Sequence, residues 1–380
     1  MTSVVAGTAS SYGPLVGEVD DFMAGAVVPS DSESVDGYMA ELVEFQRQLN
    51  DAGLAVVSWP AHYGGRDLDA GAAAVVAKRL GELGAPELAN FVGIEVLAPA
   101  MLRFADKADL ARWLPAMAAA DELWCQMFSE PDAGSDLAAL RTTGHRDGDG
   151  WRINGTKIWS TWGHLARWGL ALVRTGTTAD RHRGITAFVI DMRSEGVQAR
   201  PLRAMTGRAE FAEVFLDDVF VPAEAVIGEV NKGWEVTLHI LGSERGPYAV
   251  RRAAVVRAVL DRVLGHASQT RLGPLEREEL VRAVTAVRLL DLRIDAVVEE
   301  LSQGRYPGPE AAITKVLLTR AEQQVMALAH RVHALAGVAW LGAAPPAVGD
   351  FLYSVAASIY GGSDQIQHNL IGERLLGLSR

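Results

Sequence analysis

Apolar residues recur at helical intervals along the first third of the chain. Four segments show this spacing: 38–54, 70–84, 86–105 and 109–119. The stretch "SWPAHYGGRDLD" between the first two is a loop, because Pro60, Gly64 and Gly65 interrupt both kinds of regular structure. The pattern predicts an N-terminal helical domain over residues 1–120.

The pattern changes after residue 120, where apolar residues gather in short runs typical of strands. Three of these runs are "WGLALVR", "ITAFVID" and "AEVFLDDVFV". The stretch "WRINGTKIWS" predicts two more strands joined at Asn154-Gly155, because this dipeptide suits a type I′ hairpin turn. Residues 121–228 are therefore predicted to form a middle β domain that resembles a barrel.

Helical spacing returns at Lys232 and continues to the end of the chain. Glycine or proline separates five segments, near 233–268, 274–303, 309–337, 346–360 and 363–377. These segments predict a C-terminal domain of the four-helix-bundle type over residues 229–380. The predicted fold class is mainly α with a central β domain.

Composition narrows the classes of function. The chain of 380 residues carries a formal net charge of −11, which argues against a nucleic-acid surface. Cys125 is the only cysteine, so no intrachain disulfide forms. The N-terminus lacks the basic and apolar regions of a secretory signal, and no apolar run approaches the roughly 18 residues that would suggest a membrane span. A cytoplasmic protein without nucleic-acid or membrane partners is expected.

Two clusters have the residue types of a ligand site. The loop "FSEPDAGSDLAALRTT" offers backbone N–H groups and hydroxyls that suit an anionic or carbonyl-rich ligand. The stretch "NGTKIWSTWGHLARW" places two tryptophans beside hydroxyls, as a flat heteroaromatic cofactor requires. Taken alone, a polar turn and a half-buried strand are the simpler explanations. His330 and His333 have no visible third partner, so no metal site is predicted.

Three longer motifs together resemble the acyl-CoA dehydrogenases. "FSEPDAGSDLAALRTTGHRDGDGWRINGTKIWSTWG" is similar to the signature of their central β domain, and "IYGGSDQIQHNLIGERLLGLSR" is similar to their C-terminal helix. "YPGPEAAITKVLLTRAEQQ" resembles a helix of the bundle in one actinobacterial-type branch. The resemblance implies an FAD enzyme, with the flavin between the β domain and the bundle, that dehydrogenates an acyl thioester at its α and β carbons.

The resemblance also implies roles for individual residues. Ser129 and Thr161 would hydrogen-bond the flavin ring, and Trp159 would flank it. Ser135 would face both flavin and thioester. The implied cofactor site comprises Met127, Ser129, Gly134, Ser135, Trp159, Thr161, Ser363 and Gln365.

Two positions depart from the family's pattern for the FAD of a neighbouring subunit. The usual pyrophosphate-binding arginine is Gln269 here, and Arg271 lies nearby but out of register. The glutamine that usually reaches the neighbour's FAD is His333. Arg271 and His333 are therefore the cofactor-site candidates in these places, and the expectation that each subunit completes its neighbour's site is weaker.

The catalytic carboxylate is missing from its usual place. Most relatives carry a glutamate directly after the tyrosine in "SIYGGSDQIQHN", where this chain has Gly361. A minority of the family places it on an earlier helix, and the matching stretch "LHILGSERGPY" supplies Glu244. Thr237, Leu241, Glu244 and Tyr248 also share one stripe if that stretch is helical.

Glu244 is therefore the predicted base that removes the α-proton, and burial would raise its pKa toward a useful value. The backbone N–H of Gly361 is predicted to donate to the thioester carbonyl. Arg245, which the family shares, and Tyr248 are the further candidates for substrate binding. The expected partners are a thioester of CoA or of a carrier protein, an electron acceptor such as an electron-transfer flavoprotein, and a second or further copies in a homodimer or homotetramer.

Three alternatives stay open at this point. Glu244 could have a structural role alone, as the ion-pair partner of an arginine such as Arg245 or Arg251. The chain could be a non-catalytic subunit of a hetero-oligomer, which would explain Gly361 and the changed FAD contacts. It could also be a flavin monooxygenase on the same fold, although that chemistry has no clear use for Glu244.

Overall fold

The computed structural model describes residues 12–29, 35–243, 246–267, 272–306, 308–334 and 346–379. Helices come first in this part of the chain, strands follow, and helices return. The predicted fold class, mainly α with a central β domain, is confirmed. The first strand begins at Trp124 and the last ends at Ile227. The domain boundaries at residues 120/121 and 228/229 stay predictions.

The N-terminal helices bury the apolar stripes seen in the sequence. They are α1 (Gly13–Gly25), α2 (Val35–Asp51), α3 (Ala70–Glu82), α4 (Ala98–Phe104) and α5 (Lys107–Ala118). Helix α3 begins where predicted because the Asp69 carboxylate accepts a hydrogen bond from the Ala72 backbone N–H at 2.9 Å. In α2, Phe45 and Leu49 are buried in the core of the N-terminal domain, and Leu42 packs in a smaller cluster with Trp162.

The predicted helix over residues 86–105 is wrong in its first five residues. Residues 86–90 are not helical, and a π-helical turn (Val92–Leu97) leads into α4 instead. The Asn90 side chain accepts a hydrogen bond from the Trp124 backbone N–H at 2.9 Å and donates to the carbonyls of Met117 and Glu122. These long-range bonds hold the segment in a non-helical shape, which local spacing does not predict.

One eight-stranded sheet forms the middle of the molecule. Its strands are β1 (Trp124–Met127), β2 (Thr143–Asp147), β3 (Gly150–Thr161), β4 (Trp168–Arg174), β5 (Ile185–Asp191), β6 (Val197–Leu202), β7 (Phe211–Pro222) and β8 (Val226–Ile227). The order is β6-β7-β3-β2-β4-β5-β8, and β1 pairs in parallel with β4. Strand β4 is buried on both faces: Leu170 and Leu172 pack with the N-terminal helices, whereas Ala171 and Val173 face the core of the β domain.

The predicted hairpin at Asn154-Gly155 is wrong. Strand β3 runs through this dipeptide with a register shift against β7, and the turn to β2 lies at residues 148–149 instead. Gly148 has a φ of +57°, so the Gly-Asp pair at residues 148–149 supplies the turn that was assigned to Asn-Gly. Gly155 is needed for a different reason, because a Cβ there would lie 2.4 Å from the Thr142 hydroxyl.

The C-terminal helices form a bundle against the sheet and the N-terminal domain. They are α6 (Gly233–Ser243), α7 (Pro247–Ala267), α8 (Pro274–Ser302), α9 (Ala311–Ala334), α10 (Pro346–Ser354) and α11 (Asp364–Leu370). The prediction of one helix over residues 233–268 is wrong, because α6 ends before Pro247 and α7 begins there. Proline has no N–H to donate and disfavours a helical residue before it.

No helix in the described ranges is long and apolar enough to cross a membrane. The same ranges contain no group of three His, Cys, Asp or Glu side chains that could hold a metal ion. His330, one of the two histidines considered above, stacks on Phe351 with ring centroids 4.8 Å apart.

Candidate active site

The loop after β1 is held in place by a buried ion pair. Lys157 Nζ on β3 lies 2.7 Å from Glu130 Oε1, and both side chains are almost fully buried. The Ser129 carbonyl accepts a hydrogen bond from the Ile158 backbone N–H at 2.9 Å. These two contacts therefore fix the position of the loop relative to β3.

The predicted cofactor residues on this loop differ in exposure. Ser129 is half-buried, whereas Gly134 and Ser135 are exposed. Met127 is fully buried in the core of the β domain. Any contact between Met127 and a cofactor therefore comes from its backbone.

The end of β3 presents an aromatic surface. Trp159 has a φ of +62°, and the pairing of β3 with β7 shifts between Lys157 and Ser160. Such a bulge redirects side chains, and the Trp159 indole is 59% exposed. Thr161 is half-buried, whereas Ser160 is fully buried. The exposed edge of β3 thus offers an indole next to a hydroxyl.

The turn before α11 is anchored on α9. Lys315 Nζ donates to the Ala357 carbonyl at 2.9 Å and lies 4.1 Å from the ring centroid of Tyr360. Gly361 has a φ of +62° and Gly362 a φ of +87°, a conformation that favours glycine.

The first turn of α11 is closed by its own side chains. The buried Gln367 amide donates to the carbonyls of Gly361 and Gly362 at 3.3 and 3.2 Å. The Ser363 hydroxyl accepts from the Ile366 backbone N–H and caps α11, whereas Gln365 is exposed. The carbonyls of the double-glycine turn are therefore fixed by Gln367, and the polar side chain of Gln365 near the turn is exposed.

Aromatic residues from two domains meet beside this turn. Tyr248 stacks on Phe91 with centroids 5.9 Å apart, and Tyr353 lies 6.1 Å from Tyr360. Burial, followed by the charge of Tyr360, raises the pKa of Tyr248 well above its ordinary value. The Tyr248 hydroxyl therefore stays protonated and can act as a neutral donor.

A cavity of about 320 Å³ opens where the three domains meet. Its walls include Phe91 of the N-terminal domain, Thr161 and Trp162 of the β domain, and Arg252 and Tyr353 of the bundle. The guanidinium of Arg252 is fixed by a buried ion pair with Glu322. The cavity thus combines an aromatic wall with fixed polar groups.

Four predicted residues cannot be placed by this structure. Glu244, Arg245 and Arg271 lie outside the described residues, and so does the side chain of His333. The predicted stripe from Thr237 to Tyr248 does not lie on one helix, because α6 and α7 are separate. Its geometric support for Glu244 is therefore withdrawn, and the assignment of the base rests on the sequence motif.

Comparison with known families decides the class of protein. Three family models match: the acyl-CoA dehydrogenase N-terminal domain at residues 15–121, the middle domain at 125–219 and the C-terminal domain at 231–376. The chain belongs to the acyl-CoA dehydrogenase family. Proteins of this family are FAD-dependent oxidoreductases that act on CH–CH groups, so FAD is the cofactor of this chain.

Individual relatives match almost the whole length of this acyl-CoA dehydrogenase. The acyl-CoA dehydrogenase IpdE1 of Mycobacterium tuberculosis is 36% identical over 343 residues, which are 88% of each protein. FadE34 of the same organism is 38% identical over 90% of this chain and 47% of its own length. The crystal structure of the ChsE4-ChsE5 complex from M. tuberculosis contains a chain with a TM-score of 0.82 and 25% identity, and the match covers 100% of both chains.

The residues of the β domain fit a flavin ring. Trp159 exposes an unusually large apolar ring beside the Thr161 hydroxyl. Gln126 on β1, which the sequence did not single out, has a buried side-chain nitrogen without a partner among the described residues. A heteroaromatic ring with carbonyl and nitrogen acceptors would cover the indole and pair with such donors.

A second group of charges lies deeper, between α7 and the N-terminal domain, and the sequence did not predict it. Arg251 Nη2 lies 2.6 Å from Glu87 Oε1, and its Nη1 donates to the Pro86 carbonyl at 3.1 Å. Glu95, on the π-helical turn, approaches Arg251 Nε only to 3.8 Å. Single-sequence reasoning has no signal for this cluster, because its members are far apart in the chain.

The free energy of unfolding is expected to depend on pH through Glu95. Burial raises the pKa of Glu95 to about 7, against the attraction of Arg251. Between its ordinary pKa of 4.5 and 7, the folded chain holds a proton that the unfolded chain has lost, so stability falls as pH rises through this window. In Glu95→Gln, the decrease in the free energy of unfolding across this pH window should therefore be smaller by roughly 2–3 kcal/mol.

Denaturant unfolding at pH 5 and pH 7.5 measures this difference. Glu82→Gln serves as the control, because Glu82 is an exposed carboxylate of α3 that pairs with Arg79. An unchanged profile in Glu95→Gln would show that Glu95 is already ionised in the folded chain at pH 5.

Proposed function

We propose that this chain removes two hydrogens from the α and β carbons of an acyl thioester, with FAD as acceptor and Glu244 as base. The observation that carries the proposal is the cavity between the three domains, which joins the Thr161 edge of β3 to the aromatic wall of the bundle. Bound FAD supplies the acceptor for the β-hydride. The chain itself must orient the thioester, exclude water and take the α-proton.

Gly361 suits the role of carbonyl donor. No described residue accepts a hydrogen bond from its backbone N–H, and Gln367 fixes the turn from behind. A fixed N–H aimed at the thioester oxygen stabilises the negative charge that develops when the α-proton leaves. The absent side chain also leaves room for a bulky or branched acyl group.

The polar end of the substrate is assigned to two side chains. Ser135 and Arg245 are the proposed contacts for the thiol arm, and Tyr248 the contact nearer the acyl group. CoA and a carrier protein both fit this proposal, and an electron-transfer flavoprotein is the proposed acceptor of the electrons. Cytoplasmic location and a homodimer or homotetramer stay predictions.

Anaerobic titration of the purified holoenzyme tests the proposal. A panel of acyl-CoA and acyl-carrier thioesters is added, and bleaching of the flavin absorbance is recorded. We expect at least one thioester to bleach the flavin without any other reductant. If dithionite bleaches the flavin and no thioester does, the proposed activity is wrong.

A second candidate is a subunit that works only with a different partner chain. The glycine at position 361 favours it, and so does the similarity to a chain of the ChsE4-ChsE5 complex. In that case the isolated protein should be colourless and should gain FAD only when the partner chain is present. A yellow, thioester-reducible protein on its own would exclude this candidate.

Thr161→Ala should weaken FAD binding about 3- to 10-fold, since a neutral hydrogen bond contributes about 0.5–1.5 kcal/mol. Trp162→Phe is the matched control at the next position, where the side chain is only 8% exposed. Fluorescence titration of the apoprotein with FAD measures both constants. Trp162 lines the same cavity as Thr161, so a larger loss at Trp162 would mean that its indole makes the main contact with the flavin.

A further inference from the structure

A second cavity of about 90 Å³ lies behind the first, between α3, the π-helical turn and the start of α7. Its walls are mainly apolar, with Val57, Val76 and Ile94 among them. Among the described residues that line it, only Glu95 and Arg251 are charged. Arg251 and Leu88 also line the larger cavity between the domains, so these two residues lie between the two spaces.

Two polar atoms in this wall are buried without a partner in the part of the chain that the structure describes. The side chains of Arg251 and Glu95 are 6% and 9% exposed. Arg251 Nε and Glu95 Oε2 have no hydrogen-bond partner among the described residues, although the other nitrogens of Arg251 are satisfied by Glu87 and Pro86. The 3.8 Å between Arg251 Nε and Glu95 Oε1 is too long for a hydrogen bond.

The two atoms are chemically complementary to one hydroxyl group. Arg251 Nε carries a hydrogen to donate, and Glu95 Oε2 accepts when the carboxyl is ionised, which is above its pKa of about 7. A hydroxyl can accept from the first and donate to the second, whereas a methyl or methylene group satisfies neither. Buried donors and acceptors in native proteins nearly always find a partner, so an oxygen in this place is expected.

We propose that Glu95 and Arg251 form a subsite for an alcohol on the distal part of the acyl group. This proposal rests on the proposed function, because it assumes that the larger cavity holds the thioester. Tyr248 lies one helical turn before Arg251 on α7, a rise of about 4.5 Å. A chain that passes the Tyr248–Phe91 pair can therefore reach Arg251 with its far end.

Water is the other source of such an oxygen, and matched ligands separate the two. Redox-inert thioether analogues are made with CoA or the carrier protein, whichever gives the thioester that bleaches the flavin. Each analogue has a cyclic end that carries or lacks one hydroxyl. The hydroxyl is moved along the ring in a series. Calorimetry on the FAD-loaded protein gives the dissociation constant of each analogue, independently of turnover.

We expect one hydroxyl position to tighten binding about 10- to 100-fold, the range for hydrogen bonds to charged groups. Glu95→Leu should reduce this preference to about 2-fold or less, whereas Glu82→Leu on the exposed end of α3 should keep it. Because Glu95→Leu removes an unpaired buried carboxylate, its melting temperature should not fall.

Equal binding of every hydroxylated and plain analogue to the wild-type protein would overturn the subsite, and the oxygen would then be water. This comparison needs no variant, so it decides even if Glu95→Leu fails to fold. A preference that survives in a folded Glu95→Leu would also overturn the subsite. If no analogue binds and no thioester bleaches the flavin, the proposed function falls with it.

Discussion

Replacing Glu244 by glutamine should abolish the reduction of the flavin by substrate and leave its reduction by dithionite intact. The amide keeps the shape of the side chain but cannot accept the α-proton. Loss of a positioned base typically lowers the rate by about 10²- to 10⁴-fold. Stopped-flow absorbance under anaerobic conditions measures this rate, and FAD content and thioester affinity should stay near the wild-type values.

Glu235→Gln is the matched control for this change. Glu235 is an exposed glutamate in the first turn of α6, so its loss should leave the rate unchanged. A near wild-type rate in Glu244→Gln would end the assignment of the base. Glu210, a half-buried carboxylate that lines the larger cavity and whose pKa is raised by burial, would then be the next residue to replace.

Returning the carboxylate to the position used by most relatives gives a stricter test. In Glu244→Gln combined with Gly361→Glu, partial recovery of flavin reduction would show that both positions address one substrate carbon. Gly361 has a φ of +62°, where a side chain costs about 1–2 kcal/mol, so recovery should be incomplete. It should also be limited to small, unbranched acyl groups, because the new side chain fills the room beside the turn.

Local patterns in the sequence predict the elements that make their contacts along a single strand or helix. The nearly continuous apolar runs of β4 and β5 give both strands at their observed bounds, because a strand buried on both faces is apolar at most of its positions. The helical spacing of apolar residues also predicts α2, because the buried residues of this helix form a single stripe. The long motifs around Ser129 and Tyr360 supply the family.

Contacts between distant residues decide the features that the sequence did not predict. Asn90 bonds to residues near 117–124 and shortens a helix. The bulge that exposes Trp159 depends on the pairing of β3 with β7. Arg251 meets Glu87 across more than 160 positions of sequence. The spacing of apolar and polar residues along one sequence carries no information about such long-range pairings.

Replacing Lys157 by methionine should destabilise the chain by about 3–5 kcal/mol, the usual effect of removing one partner of a buried ion pair. Lys157 is fully buried, and Glu130 is 6% exposed. Burial acts to raise the pKa of Glu130, but the charge of Lys157 and the hydrogen bonds from residues 141 and 142 hold it below its ordinary value. Without Lys157, the Glu130 carboxyl either stays charged in the interior without its counter-ion or takes up a proton, and both cost stability.

FAD affinity should fall in Lys157→Met as well, because the same pair fixes the loop that carries Ser129. Denaturant unfolding and FAD titration measure the two effects. Lys232→Met, which removes an exposed lysine paired with Glu229, should change neither. Adding Glu130→Gln to Lys157→Met removes the unpaired charge and should restore part of the lost stability. Recovery should be incomplete because the amide has one oxygen for the two N–H groups, of Arg141 and Thr142, that donate to the carboxylate. If the double variant is as unstable as Lys157→Met, lost packing of the lysine stem, and not the unpaired charge, sets the loss.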